Sequence, residues 1–480
     1  MKNRPGSFPD ISYGDWRRLV EEQLGETDFE AAVGSRLAGI DLEPLYTANH
    51  PETRGNVESP VATAEIRSSV SADLPWVRCQ RFSLRDLEEL NQRLKSDLEN
   101  GVEGVWLSAP TDLEAAFRGV PDLWRVLLID AGGRFAQAAE ALFEWLEESV
   151  PDAKDRTFLL GVDPLGTLAR NGSLPGSMDD LERALVSVVR RRQAELPRGR
   201  AIMVSSEPYR EAGAEIDQEL AISLAGATHY LRVMEKQSLA PAAAAAEVAF
   251  VACTGQEMFL EIAKLRALRV LWRHLQSTCG VSDPSPAWIQ TTVLRRSLPR
   301  RDSWLNLLRV TTASLAGVVG GADSIETPEF DCGDPDGGTE RGRRLARNTQ
   351  SILGFEAHLG RVLDPACGSY FLESLTQDLV SRGWRLFQEI ERRGGLLEAL
   401  TSGWIQERIA KRWRERYRQI EQGEIGLTGV NVYRSGDEAP PSPRPERSMI
   451  PVAAGASSPL VEPLVPHRDS EPCEKDGAAS

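Results

Sequence analysis

Short apolar runs recur along the chain from about residue 76, each bounded by turn residues and followed by a helical repeat. They fall at 76–79, 104–107, 125–129, 157–161, 201–204, 248–252, 288–293 and 318–325. An apolar run of this length suits a strand buried on both faces. The segments between them carry apolar residues three or four apart, the spacing of one helix face. Over 211–224, Ile216, Leu220 and Leu224 stand one turn apart; over 256–275, Met258, Ile262, Leu265, Leu268 and Trp272 share a face. Strands alternating with helices predict parallel pairing through right-handed crossovers. Eight such units over about 250 residues match a (β/α)8 barrel, with a doubly wound open sheet as the competing α/β arrangement.

The flanks read differently. Residues 1–75 form a mixed arm: a helix start at 12–19, a second helical turn near 27–36, and an extended stretch over 46–72. Behind the barrel span, 76–375, two helices are expected in the 376–434 region, starting at 372–391 and 404–422. The second carries Arg408, Lys411, Arg412, Arg414, Arg416 and Arg418, which suits a solvated face or contact with an acidic partner. Residues 435–480 hold nine prolines, eight acidic and four basic residues and no aromatic. Such a segment buries little apolar surface, so it is expected to be disordered, with a short β-like run at 449–453 too isolated to alter that.

Composition narrows the function classes. The 480 residues carry a formal charge of −15, which opposes non-specific binding to nucleic acid or anionic membrane. No apolar run approaches the ~20 residues of a membrane span, and MKNRPGSFPD lacks the core of a secretory signal. Six scattered cysteines without a CxxC pair fit a reducing cytoplasm, and five widely spaced histidines oppose an all-histidine metal site.

No GxSxG, HExxH, GxxxxGK[ST] or post-strand GxGxxG occurs. The stretch Asp364-Pro365-Ala366-Cys367-Gly368-Ser369 is a tight turn before a helix. It suits a helix cap in which Ser369 satisfies free amides, or a cradle of N–H groups for phosphate. Cys367 has only His358 nearby in sequence as a base. Glu207-Pro208-Tyr209-Arg210-Glu211 follows the fifth run, at what would be the C-terminal rim of a barrel, where proline stiffens the loop.

Several stretches resemble one family. FPDISYGDWRRLVEEQLGETDFEAAVGSRLAGIDLEPLY (8–46), REAGAEIDQELAISLAGATHYLR (210–232), MFLEIAKLRALRVLW (258–272), RRLARNTQSIL (343–353), HLGRVLDPACGSYFLESLT (358–376) and LTGVNVY (427–433) look like the motifs of methylmalonyl-CoA mutases, in particular their small (beta) subunits. The resemblance covers about residues 8–434. It implies a barrel that takes an acyl-CoA thioester along its axis in catalytic chains. There, a flavodoxin-like domain holds adenosylcobalamin over the mouth, for radical rearrangement of methylmalonyl-CoA to succinyl-CoA.

Against that pattern the chain departs at each site position compared. The family's Tyr-His pair is Glu207 and Pro208, and a CoA-supporting arginine is matched by Glu247. GGADSIETP (320–328) puts Gly321 and Glu326 where catalytic chains have histidines, and WVRCQRFS (76–83) lacks their tyrosine. The cobalt-ligating DxHxxG does not occur, so the cobalamin domain is expected to be absent. The bulky strand triplets Val105-Trp106-Leu107, Val126-Leu127-Leu128 and Phe158-Leu159-Leu160 favour a filled barrel over a channel.

The resemblance therefore implies a non-catalytic small subunit that pairs with a large catalytic chain in a heterodimer, its arm wrapping the partner. No catalytic, cofactor or metal residue is expected here, and adenosylcobalamin falls to the large chain. Two other readings stay open: the substrate half of a split mutase with a separate cobalamin domain, and an acyl-CoA-sensing module.

Overall fold

The computed structural model describes residues 11–37, 39–47, 74–83, 86–108, 112–333, 338–434 and 460–474. Two short strands in the arm, β1 (Ser35–Leu37) and β2 (Ile40–Leu42), pair as an antiparallel hairpin. The remaining strands are β3 (Val77–Phe82), β4 (Gly104–Ser108), β5 (Val126–Asp130), β6 (Thr157–Val162), β7 (Arg200–Ser205), β8 (Val248–Thr254), β9 (Trp288–Val293) and β10 (Ser324–Glu326). They close in chain order into one parallel barrel, β10 pairing with both β9 and β3. Closure decides between the two expected α/β arrangements in favour of the (β/α)8 barrel.

Seven of the eight expected runs coincide with strands to within a few residues. The eighth is displaced, because Val318 and Val319 end the helix Asn306–Val319, and Gly320 and Gly321 turn the chain before β10 begins at Ser324. The apolar end of a helix and a short strand merged there into one run. Alternation along the strands sorts side chains cleanly. Val77, Cys79, Trp106, Val126, Leu128, Leu159, Met203, Ala249, Val251 and Trp288 form a cluster inside the barrel. Their neighbours Val105, Leu107, Leu127, Phe158 and Leu160 join the larger core beneath the helices. Gly161 makes the closest approach: its φ is +59°, and a Cβ there would lie 1.9 Å from the Ile129 carbonyl oxygen.

The arm begins with helix Tyr13–Leu24, opened by a reciprocal cap between Ser12 and Asp15, and a second helix, Phe29–Val33. The stretch expected to be extended over 46–72 lies mostly outside the described residues, as does the 449–453 run. Behind the barrel, helix Tyr370–Arg392 packs against Ile216–Lys236 and Met258–Thr278, with Gly383 against Leu220 and Leu271. A domain edge at 375 therefore falls inside a helix seated on the barrel. Helix Trp404–Glu421 follows, with basic side chains largely paired, Arg412 near Asp217 and Arg416 on Asp469.

The expectation of disorder over 435–480 needs correction. Residues 460–474 are docked on the barrel, with Val461, Leu464 and Asp469 buried. Apolar residues three apart and one well-placed aspartate suffice for docking, although the averaged composition conceals them. Among the described residues no helix is long and apolar enough to cross a membrane.

Candidate functional site at the barrel mouth

In a (β/α)8 barrel the C-terminal ends of the strands carry the chemistry. Here that end is bridged by charge. Arg81, two residues beyond Cys79 on β3 and so inward-facing, lies with its guanidinium 3.6 Å above the Trp106 ring. Its two terminal nitrogens donate to both oxygens of Glu207, at 2.7 and 2.9 Å. Arg170 and Arg295 approach the same carboxylate, each at 3.6 Å. Arg295 also donates to Glu326 on β10 at 2.9 Å, and the Thr292 hydroxyl donates to that glutamate as well. Burial disfavours the Glu207 charge, but Arg81, Arg170 and Arg295 outweigh it and hold the carboxyl well below the usual range. A carboxylate so satisfied is a weak base.

Below this bridge the axis is filled. Trp106 and Trp288 are 2% exposed, and their indole N–H groups meet no acceptor among the described residues, so volume is what they supply. The cavity at the mouth measures about 20 Å³, between Trp106, Leu128, Met203 and Val251 below and Asp130, Asp163, Arg170 and Ser205 above. That is room for about one water molecule. The buried Asp163 at its edge accepts from the Tyr230 hydroxyl (2.6 Å) and the Ser205 amide (2.9 Å).

The site positions singled out in the sequence do not all converge. Glu207 and Glu326 meet through Arg295 at the mouth. Pro208 sits in the first turn of a short helix, Glu207–Glu211, where a loop was expected. Glu247 lies at the opposite end of the barrel, just before β8. Its fully buried carboxylate takes Arg192 and Gln193 rather than facing a ligand, and burial raises its pKa despite Arg192. Gly321 offers its carbonyl to Arg269.

The turn 364–369 behaves as a cap: the Leu372 amide donates to Ser369 Oγ at 3.4 Å, opening helix Tyr370–Arg392. Cys367 is exposed, and partial burial with Asp364 and Glu373 raises its pKa, which opposes thiolate chemistry. Arg81 and Arg295 were missed. For Arg81 a signal existed, an arginine on the inward parity of an apolar strand. For Arg295, in the turn Arg295–Ser297 after β9, none did.

The motifs that carried the resemblance form a frame outside the barrel. Lys264 reaches Glu219 (2.9 Å), Glu261 and the Cys253 carbonyl, and Arg210 bridges the same two glutamates at 3.0 Å each. Arg266 ties this helix to the capping turn through Asp364 and Glu373. Arg343 and Arg347 share Asp97. Burial opposes the Lys264 charge, but its two carboxylates raise the pKa overall.

A closed (β/α)8 barrel braced by these motifs agrees with the fold that the resemblance to the acyl-CoA mutases implies. A model of the methylmalonyl-CoA mutase family matches residues 101–449, and the chain belongs to that family. It is 37% identical to the methylmalonyl-CoA mutase small subunit of Streptomyces virginiae over 95% of this chain and 75% of that protein. The Propionibacterium freudenreichii subsp. shermanii small subunit is 29% identical over 98% and 74%. A probable small subunit from Mycobacterium bovis is 36% identical over 74% of this chain, which spans 57% of that relative's length.

The family is cobalamin-dependent. The mouth residues do not fit a corrinoid or an acyl-CoA thread. The four described histidines pack elsewhere: His229 by Glu182, His274 on Trp384, His358 in a turn and His467 on Trp413. The axis a pantetheine chain would follow holds two tryptophans.

Proposed function

We propose that this chain is the non-catalytic small subunit of a methylmalonyl-CoA mutase, which pairs with a large catalytic chain and stabilises it. The observation that carries this reading is the mouth: Arg81, Glu207, Arg295 and Glu326 bridge it above an axis filled by Trp106 and Trp288. Among the described residues the acidic and basic groups of the mouth are paired with one another, and no imidazole lies there for cobalt. Adenosylcobalamin then belongs to the partner, in a cytoplasmic heterodimer. The relatives named small subunits support a larger partner.

The test is co-expression with a large mutase chain. A stoichiometric complex should co-purify and form succinyl-CoA with adenosylcobalamin. The small chain alone should show no turnover and no saturable binding of methylmalonyl-CoA by calorimetry. Turnover by this chain with a free cobalamin domain would establish the split-enzyme reading instead. Saturable acyl-CoA affinity without a large-chain complex would establish a sensor.

A further inference from the structure

Residues 460–474 cross the rim beside the mouth and meet three βα connections in turn. The Val461 amide donates to the Gly172 carbonyl (3.1 Å) and the Leu464 amide to Ala169 (2.8 Å), both at the end of helix Pro164–Asn171 after β6. The His467 amide donates to Glu211 (2.9 Å) after β7, and the Asp469 amide to Arg296 (2.9 Å) after β9. Leu464 enters the main hydrophobic core. The His467 ring lies flat on the Trp413 indole, with centroids 4.5 Å apart and planes 8° from parallel. The buried Asp469 carboxylate accepts from Arg416 Nε (3.0 Å) and Nη2 (2.8 Å), with Arg296 Nε at 3.7 Å.

Backbone acceptors in a row, an apolar seat, an aromatic face and a guanidinium fork are what a groove needs to read an extended peptide. The groove also connects to the mouth. Glu211, whose carbonyl holds His467, uses its carboxylate to accept the Arg295 and Arg296 amides, each at 2.8 Å. Arg295 in turn holds Glu207 and Glu326.

We propose that this groove is a peptide-recognition site whose ligand is the chain's own segment 460–474, and that its occupancy latches the mouth cluster shut. Family membership assigns no such role to the segment, and the latch stands whether or not the chain pairs with a large subunit.

Hydrogen exchange on the full chain tests it. Unaltered, the amides of Val461, Leu464, His467 and Asp469 should be protected. In Asp469→Asn, amides across 460–474, 207–211 and 294–298 should exchange about tenfold faster or more, while those of 248–252 at the barrel base stay unchanged. A synthetic 460–474 peptide added in excess should restore rim protection, and the same peptide carrying Asp469→Asn should not. His467→Ala, which removes the ring stack and the 3.4 Å contact of its Nδ1 with Glu471 inside the segment, should give the same pattern at smaller amplitude and serves if Asp469→Asn does not fold. Free-peptide exchange over 460–474 in the unaltered chain would overturn the docking. Release of the segment without any change at 207–211 and 294–298 would overturn the latch.

Discussion

The mouth and the outer frame are built from the same residue types, yet they differ in solvation and in what they join. At the mouth, Arg81 and Glu207 keep 15% and 11% of their side-chain surface, and Arg295 keeps 26%. In the frame, Lys264, Glu219 and Glu261 keep 1–2%. The frame locks helices Ile216–Lys236 and Met258–Thr278 onto the barrel, whereas the mouth cluster spans the axis and joins strand ends to the turns of the rim. The motifs that mark the family serve the frame, and the residues that would decide activity sit at the mouth. Membership of the family is therefore read from the frame, and the mouth has to be judged from its own geometry.

That contrast breaks most directly at Lys264. Lys264→Met leaves Arg210 as the cation shared by the buried Glu219 and Glu261, and removing one partner of a buried ionic cluster costs about 3–5 kcal/mol. Arg81→Met leaves Glu207 with Arg170 and Arg295 and a thioether over Trp106, so about 1–3 kcal/mol is expected. Urea midpoints at constant slope measure both. Equal losses would mean that mouth and frame are the same kind of structure.

Between the two regions stands Glu211, and its titration sharpens the comparison. Burial and the neighbouring Glu207 push its pKa up to about 7, although the Arg295 and Arg296 amides oppose the shift. The folded chain therefore holds a proton that the unfolded chain releases at an ordinary carboxyl pKa. Stability from this group is full below about pH 4.5 and is lost as pH rises through about 7, on the order of 3 kcal/mol in all. Glu211→Gln should flatten that fall in a series of urea titrations from pH 5 to 8. A slope unchanged by the substitution would place the proton elsewhere.

The legible and illegible parts divide along similar lines. Strands buried on both faces announce themselves as apolar runs, so seven of them could be placed from pattern alone. The eighth could not, because Val318 and Val319 serve a helix end that looks like a strand. Glu207 and Glu326 were found through resemblance. Their arginine partners come from β3 and from the turn after β9, and no local pattern links such distant positions. Glu247 lies at the far end of the barrel from the mouth, and its partner Arg192 comes from helix Met178–Glu195, a pairing no local pattern announces. The 460–474 latch was lost to averaging: nine prolines over 435–480 masked the few residues that dock.

The smallest expected effect separates two roles for the capping turn that joins frame to helix. The Leu372 amide meets Ser369 Oγ at 3.4 Å, a long bond, while the Gly368 amide is held independently by Glu373 at 3.2 Å. Ser369→Ala should therefore cost near the lower end of the range for lost caps, about 0.5–1 kcal/mol in a urea titration. A turn built to cradle phosphate would behave differently, because its amides must stay open to an anion. Here Glu373 already places a carboxylate at the Gly368 amide and is itself fixed by Arg266 at 2.7 Å, so an incoming phosphate would face a negative charge. Calorimetric titration with inorganic phosphate should accordingly show no saturable binding in either the unaltered chain or Ser369→Ala. Binding that the substitution weakens would turn this turn from a joint of the frame into a ligand site.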